Sequence, residues 1–226
     1  MSQAKKILNH DQLDTFKAAV QQDWIWRDFF LTELTTGLRR GELCGLKWSD
    51  FDETAGTLNV CRTIHARKGG GVEEGTTKTY AGTRTILLPS STAQLLRERK
   101  KSALTEWIFP DPLCPEQPVS PGSAYRRLKG LLEEAGLPDL RFHDLRHTFA
   151  TMSLEHGMDV KTLSAIIGHV SAKTTLNIYT HITNEMQENA AASIDRGIAK
   201  VQFHQVVGQR QSDAGSRHVL LAVVAI

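Results

Sequence analysis

Apolar residues recur at helical spacing from the start of the chain. Leu13, Phe16, Ala19 and Val20 keep the three-and-four rhythm of one helix face and predict a helix over residues 10–22, with Asn9 or Asp11 at its start. A second, more apolar helix is predicted over 24–36, carrying Ile25, Phe29, Leu31 and Leu34. Gly37 ends it, because glycine takes the positive φ of a helix C-cap. A short helix over about 40–47 follows, and Asp50 and Asp52 mark a turn. The rhythm then changes to two: TLNVCRTI, residues 57–64, alternates and is rich in β-branched side chains, which predicts a strand. The glycine-rich stretch from Arg67 to Gly75 reads as a loop, and TTKTYAGTRTILLP as a hairpin turning at Gly82 and closed by Pro89. Helical patterning returns over 91–102. Residues 108–122 hold five of the seven prolines and read as an irregular linker. Helices are predicted at about 122–135, 142–156, 159–167, 171–178 and 183–198, the earlier ones separated by Gly136, Gly157 and Gly168. The fold class is α+β, mostly helical, with a small antiparallel sheet or hairpin on one edge.

Composition changes this picture little. The 226 residues suffice for one large domain or two small ones, and 40% hydrophobic with 23% charged residues is ordinary for a globular chain. The first residues, MSQAKKILNHDQLD, contain no apolar core of a signal peptide, and no segment approaches the roughly 20 apolar residues of a membrane span. Cys44, Cys61 and Cys114 are scattered without metal or disulfide spacing, which fits a reducing cytosol. Net charge is only +2. Three cations (Lys200, Arg210, Arg217) and one anion (Asp213) lie from Lys200 onward, so everything before is neutral. A polyanion would have to be gripped by charge gathered on one face. From about Gln202 the chain is polar and then ends in HVLLAVVAI, an uncharged, β-prone segment. Two readings of it stand: a strand added to a neighbouring subunit, or a non-native extension from a frameshift or fusion.

Four short boxes concentrate the polar residues. In TTGLRRGELCGLKW, Arg39 stands at the corner between a helix stopped by Gly37 and the next, with Glu42 three residues on to hold its guanidinium; a surface Arg–Glu pair is the plainer reading. In the hairpin, Lys78 and Arg84 flank the turn, where long cations can follow a phosphate backbone or simply blunt an edge strand. In RFHDLRHTFATMSLEHG, His143, Arg146 and His147 share one helix face. The two histidines at i, i+4 raise a metal reading, against which stand the fixed cation between them and the lack of a clear third ligand. In LSAIIGHVSAKTTLNIYTHIT, His169 follows Gly168, and Tyr179 is one of only three tyrosines; such a tyrosine is usually core. Taken together, two arginines, a lysine, two histidines and a tyrosine, without a Walker loop or a carboxylate trio, suit metal-free phosphoryl transfer.

The order Arg39 in TGLRRGEL, Lys78 in the hairpin, His143-x-x-Arg146 in HDLRHTFAT, Gly168-His169 and then Tyr179 resembles the tyrosine recombinase (phage integrase) family over residues 8–198, and in particular the integrases of phages and conjugative transposons. The resemblance implies that family's catalytic-domain fold over residues 1–200, without the N-terminal core-binding domain, followed by a tail at 201–226. It implies that Tyr179 attacks a DNA phosphate to give a 3′-phosphotyrosyl bond and a 5′-hydroxyl. Arg39 and Arg146 would bind the non-bridging oxygens, His143 would assist proton transfer, Lys78 would protonate the leaving oxygen, and His169 would hydrogen-bond the phosphate. Glu42 would support the site, and Arg40, Lys68 and Arg84 would be DNA-binding cations. No cofactor, metal or ATP is implied, since the covalent link stores the bond energy. The partner implied is double-stranded DNA, with a homotetramer formed on it by C-terminal exchange and a monomer in its absence. The location implied is the cytoplasm, at the nucleoid. A non-catalytic module that binds DNA or a partner integrase is the competing reading.

Overall fold

The computed structural model describes residues 7–67, 69–76, 83–168 and 192. Among residues 7–168 that are described, seven α-helices and five short strands run in the order α1 (His10–Gln22), α2 (Arg27–Thr36), α3 (Arg40–Cys44), β1 (Phe51–Asp52), β2 (Thr57–Val60), β3 (Arg62–Ala66), β4 (Val72–Thr76), β5 (Arg84–Leu87), α4 (Ser90–Lys100), α5 (Pro121–Glu134), α6 (Phe142–Glu155) and α7 (Val160–Ile167). The class is α+β and mostly helical. Among the described residues no helix is long and apolar enough to cross a membrane.

Helices α1, α5 and α7 start where the side chains of Asn9, Ser120 and Asp159 satisfy the first free N–H groups. Asn9 Oδ1 accepts from Gln12 N at 2.9 Å, and the Gln12 side chain returns the bond to Asn9 N at 3.1 Å, which sets the start of α1. The second helix begins three residues later than its apolar pattern predicts. Asp23 Oδ1 accepts from the N–H groups of Ile25 and Trp26 and holds them in a turn. Helix α2 then runs through the interior. Phe29 and Phe30 pack edge-on against each other at 5.3 Å, and the ring cluster extends to Phe16, Phe109 and Phe142. Thr32 and Thr36, both buried on α2, return their hydroxyls to the carbonyls of Asp28 and Thr32. At the far end Gly37, with φ +57°, turns the chain sharply into Arg39 and α3.

The strands pair differently from the pattern-based expectation. The stretch 57–64 is two strands: β2 lies between β1 and β5 in a three-stranded antiparallel sheet, and β3 pairs with β4 in a separate ribbon. The break falls at Cys61, because Arg62 is drawn to the Asp50 carboxylate and to the Gly45 carbonyl at 3.2 Å, which swings β3 away. Of the expected hairpin, the turn at Gly82 and the arm residues 77–80 lie outside the described residues. At its described ends, Thr76 pairs with Arg62 in the ribbon and Arg84 pairs with Val60 in the three-stranded sheet. The supposed loop 67–75 contains β4, and the tight turn lies at Gly69, Gly70 and Gly71, all with positive φ. Helix α3 lies against β3 at a distance only glycine permits: a Cβ at Gly41 would come within 2.4 Å of Thr63 Oγ1 and 2.7 Å of the Ile64 carbonyl. The predicted helices at 171–178 and 183–198 and the tail at 201–226 lie outside the described residues, Ala192 apart.

Candidate active site

Helix α7 is apolar on the side that buries Leu163 and Ile167, and Asp159 caps its start by accepting from Lys161 N and Thr162 N. It ends at Gly168, which takes φ +66°. Its last carbonyls therefore lack helical partners and carry the negative end of the helix dipole. Three arginines from three other segments take them in succession. Arg84 Nε donates to Ile166 O at 2.6 Å, Arg146 Nη2 donates to Ile167 O, and Arg39 Nη2 donates to Gly168 O at 2.7 Å.

Each guanidinium is fixed by a further bond. Arg146, on α6 and only 2% exposed, also donates to the Gly37 carbonyl at 2.8 Å, so it ties the C-cap of α2 to that of α7. Arg39 donates to Glu42 twice: its backbone N–H reaches Oε2 at 2.9 Å and Nη1 reaches Oε1 at 2.7 Å. Arg84 grips the same carboxylate through Nη1 and Nη2 at 3.2 and 3.0 Å. Glu42 is thus a buried anion between two cations. Burial pulls its pKa upward, but the hydrogen bonds and charges of Arg84 and Arg39 outweigh burial and hold the carboxylate below its ordinary value. Burial and the nearby Arg39 lower the pKa of Arg146 to about 10, with Glu42 opposing, so Arg146 is still a cation at neutral pH.

His143 opens the first turn of α6 at the surface, its ring edge-on to His147 at 4.5 Å. Partial desolvation and the Arg146 charge push its pKa below the ordinary imidazole value, which favours the neutral ring that can accept a proton. Arg39, His143 and Arg146 line one pocket of about 340 Å³ together with Arg40, Tyr125 and Arg141. Among the described residues no group of three His, Cys, Asp or Glu side chains is placed to hold a metal.

The structure brings Arg39 and Glu42 together with His143 and Arg146, two segments about a hundred residues apart in sequence. Arg40 lies beside them. Arg84 does not serve as the surface cation expected from its place after a turn: its side chain is 9% exposed and faces inward, where it braces Glu42 against α7. Lys68, Lys78, His169 and Tyr179 lie outside the described residues. Sequence reasoning missed the three carbonyls of α7, although Gly168 at a helix end was the signal for them. It also missed Glu33, a fully buried carboxyl on α2 without a hydrogen-bond partner, whose pKa burial drives well up against the opposing pull of Arg146.

Arginines gathered on a helix C-terminus, on a helical scaffold with a small sheet, make a rigid seat for a tetrahedral oxyanion. Residues 6–186 match the family model described as the phage integrase family, and the chain belongs to that family. It is 33% identical over 189 residues to the tyrosine recombinase XerC-like protein of Caldanaerobacter subterraneus subsp. tengcongensis, covering 74% of this chain and 48% of that protein. Its fold is similar to that of the Tn1549 transposon integrase solved in complex with circular intermediate DNA (TM-score 0.72, 27% identity, covering 86% of this chain and 68% of that one). A crystal structure of XerA recombinase also matches, with a TM-score of 0.65 and 25% identity over 85% of this chain and 65% of that one. The chain spans about half the length of the curated relatives it matches.

Proposed function

We propose that this chain is the catalytic part of a site-specific DNA recombinase that integrates or excises DNA. The observation that carries the reading is the convergence of Arg39 and Arg146 on adjacent carbonyls, Gly168 O and Ile167 O, beside a neutral imidazole. Two guanidinium planes fixed before the substrate arrives can take the two non-bridging oxygens of one phosphate without reorganisation. The Tyr179 hydroxyl oxygen attacks that phosphorus and gives up its proton to His143. The bond to the 5′ oxygen breaks, Lys78 supplies that oxygen's proton, and His169 donates a hydrogen bond to the phosphate. Attack by a 5′-hydroxyl of another strand then reverses the chemistry and frees the tyrosine, with no net consumption of ATP. Lys68 is a further backbone contact in this reading.

Double-stranded DNA is the partner in this proposal, with a homotetramer on DNA and a monomer alone, at the nucleoid. One feature supports subunit exchange: a groove of about 1030 Å³ walled by Leu34, Ile86, Leu88, Phe149, Met152 and Ile166. Apolar positions at Met186, Ala190, Ile194 and Ile198, recurring every four residues, suit such a groove on a neighbouring copy.

The test is covalent capture on a duplex that carries an end of the source element and a nick beside the cleavage point. Wild-type protein should yield a denaturant-resistant DNA adduct that persists in EDTA, and Tyr179→Phe should yield none. Capture by Tyr179→Phe would overturn the nucleophile. Binding by wild type with no cleavage, even with the N-terminal half of a relative restored, would favour the non-catalytic module.

A further inference from the structure

The pocket that holds Arg39 and Arg146 extends past them, and its far wall has no role in the chemistry above. Arg40 forms that wall. Its guanidinium carbon lies 5.7 Å from the ring centre of Tyr125 on α5 and 5.9 Å from that of Phe142 on α6. Two aromatic faces thus hold it, and it makes no hydrogen bond or ion pair with any described residue. The other arginines nearby are matched: Arg39 and Arg84 by Glu42, Arg146 by backbone carbonyls, and Arg141 by Asp144 at 2.8 Å. Among the described residues, Arg40 is the one guanidinium of this pocket with no hydrogen-bond acceptor or ion-pair partner. Contact with two rings restricts the side chain's rotamers, freedom that an anion would otherwise have to quench.

Arg40 also points away from its neighbour. Consecutive residues at the start of a helix are turned by about 100°. Arg39 turns to the end of α7, while Arg40 turns to α5 and the first turn of α6. The two guanidinium groups are therefore held by different parts of the fold while lining one pocket. In a DNA strand the next phosphate follows after about 3.4 Å of axial rise. Resting on the recombinase reading, we propose that Arg40, clamped between Tyr125 and Phe142, holds the phosphate adjacent to the one gripped by Arg39 and Arg146, so that the pocket engages two consecutive phosphates of the cleaved strand. The adjacent contact fixes where along the strand the reactive phosphorus comes to rest.

The experiment uses the full chain and a duplex selected from a random pool by retention on the wild-type protein, so it does not depend on cleavage. Single methylphosphonate substitutions scanned along that duplex remove one phosphate charge at a time. Wild type should be sensitive at two adjacent positions on one strand. Arg40→Met keeps the length and the contact with both rings but not the charge. It should bind the unmodified duplex roughly tenfold more weakly. Its log affinity against log salt should be shallower by about one, and sensitivity should vanish at one of the two adjacent positions only. Arg40→Lys retains the charge without the flat fork and should keep the salt slope while losing affinity; it also serves if Arg40→Met melts early. Unchanged affinity and slope in both variants, or an unaltered methylphosphonate pattern, would overturn the proposal. If the Arg40 pattern is present but no duplex ever yields a covalent adduct, the recombinase chemistry is struck and the second anion seat stands.

Discussion

Arg39 and Arg146 come from different segments and donate to the carbonyls of adjacent residues, Arg39 to Gly168 O at 2.7 Å and Arg146 to Ile167 O. Their separation is set by one peptide unit of backbone, which is stiffer than any pair of side chains. Arg146→Lys cannot reproduce this. A lysine offers one point charge in place of a planar fork, and it leaves the Gly37 or the Ile167 carbonyl without a donor in a buried place. Covalent capture should fall by roughly two to three orders of magnitude. Thermal stability should fall too, since Arg146 joins the caps of two helices. Arg39→Lys, at a side chain 42% exposed, should cost a similar factor in capture with a small change in melting temperature. Single-turnover capture and a melting curve on both variants separate the two effects.

Glu42 is the shared anion of the cluster, and Glu42→Gln removes its charge while keeping its shape. Arg39 and Arg84 then lose their common counter-charge. Breaking a buried ion pair from one side costs about 3–5 kcal/mol. The folded-state pKa of Glu42 is depressed, so its contribution is present above the ordinary glutamate value of 4.5 and is lost as pH falls through the lower folded value. Denaturant melts between pH 7 and pH 3 should therefore converge for wild type and Glu42→Gln at the acid end. Curves that stay parallel would show that the carboxylate is not held as an anion.

Much of this architecture is legible in the chain because it rests on local rules. Helix periodicity, Asn9 and Asp159 as caps, and Gly37 and Gly168 as stops all act within a few residues. Glu42 beside Arg39 and Arg146 beside His143 are likewise spacings on one element. What is not legible is set by partners remote in sequence. The pairing of β5 with β2 instead of β4, the inward turn of Arg84, and the choice of α7 carbonyls as arginine acceptors depend on contacts spanning the fold. Arg84 illustrates the difficulty: a cation after a turn normally faces water, and here a carboxylate 42 residues away draws it in.

In the proposed reaction His143 takes the proton of Tyr179, and its pKa lies below the ordinary imidazole value of 6.5 through desolvation and the charge of Arg146. The neutral ring therefore prevails at lower pH than in a free histidine. The acid limb of the capture-versus-pH profile should lie below 6.5, and NMR titration of the His143 ring should report the same depressed midpoint. His143 adds stability above the unfolded value, and this is lost as pH falls through the folded one. Arg146→Met, by removing the adjacent cation, should move the midpoint upward.

Gly168 has two separate reasons to be glycine, and substitution can divide them. Its φ of +66° disfavours any side chain, and a Cβ there would lie 2.8 Å from Arg84 Nη1. Gly136 has the same backbone conformation, φ +64°, with nothing within 4 Å of a Cβ. Gly136→Ala should therefore cost only the backbone penalty, about 1 kcal/mol. Gly168→Ala should cost more and should also weaken capture, because Arg84 must leave Glu42 or the Ile166 carbonyl to make room. Equal losses in the two variants would show that Arg84 gives way freely.

Glu33 lies buried on α2 with neither carboxylate oxygen hydrogen-bonded. Desolvation raises its pKa well above 4.5; Arg146 opposes and Glu42 reinforces the rise. The folded protein thus keeps the proton that the unfolded chain releases. With the pKa raised, stability is complete below the unfolded value and is lost as pH rises through the folded one. Across that window the wild type should lose about 1.4 kcal/mol per pH unit from this group. Glu33→Gln has no proton to lose and should remove this slope, so as pH rises above the ordinary glutamate value of 4.5 the wild type should lose stability relative to the variant. Glu33→Met, apolar and close in volume, should be more stable still, because it also removes the unpartnered polar atoms from the interior. If wild type and Glu33→Gln keep a constant difference over that range, Glu33 is ionised in the folded protein and its charge is neutralised by Arg146.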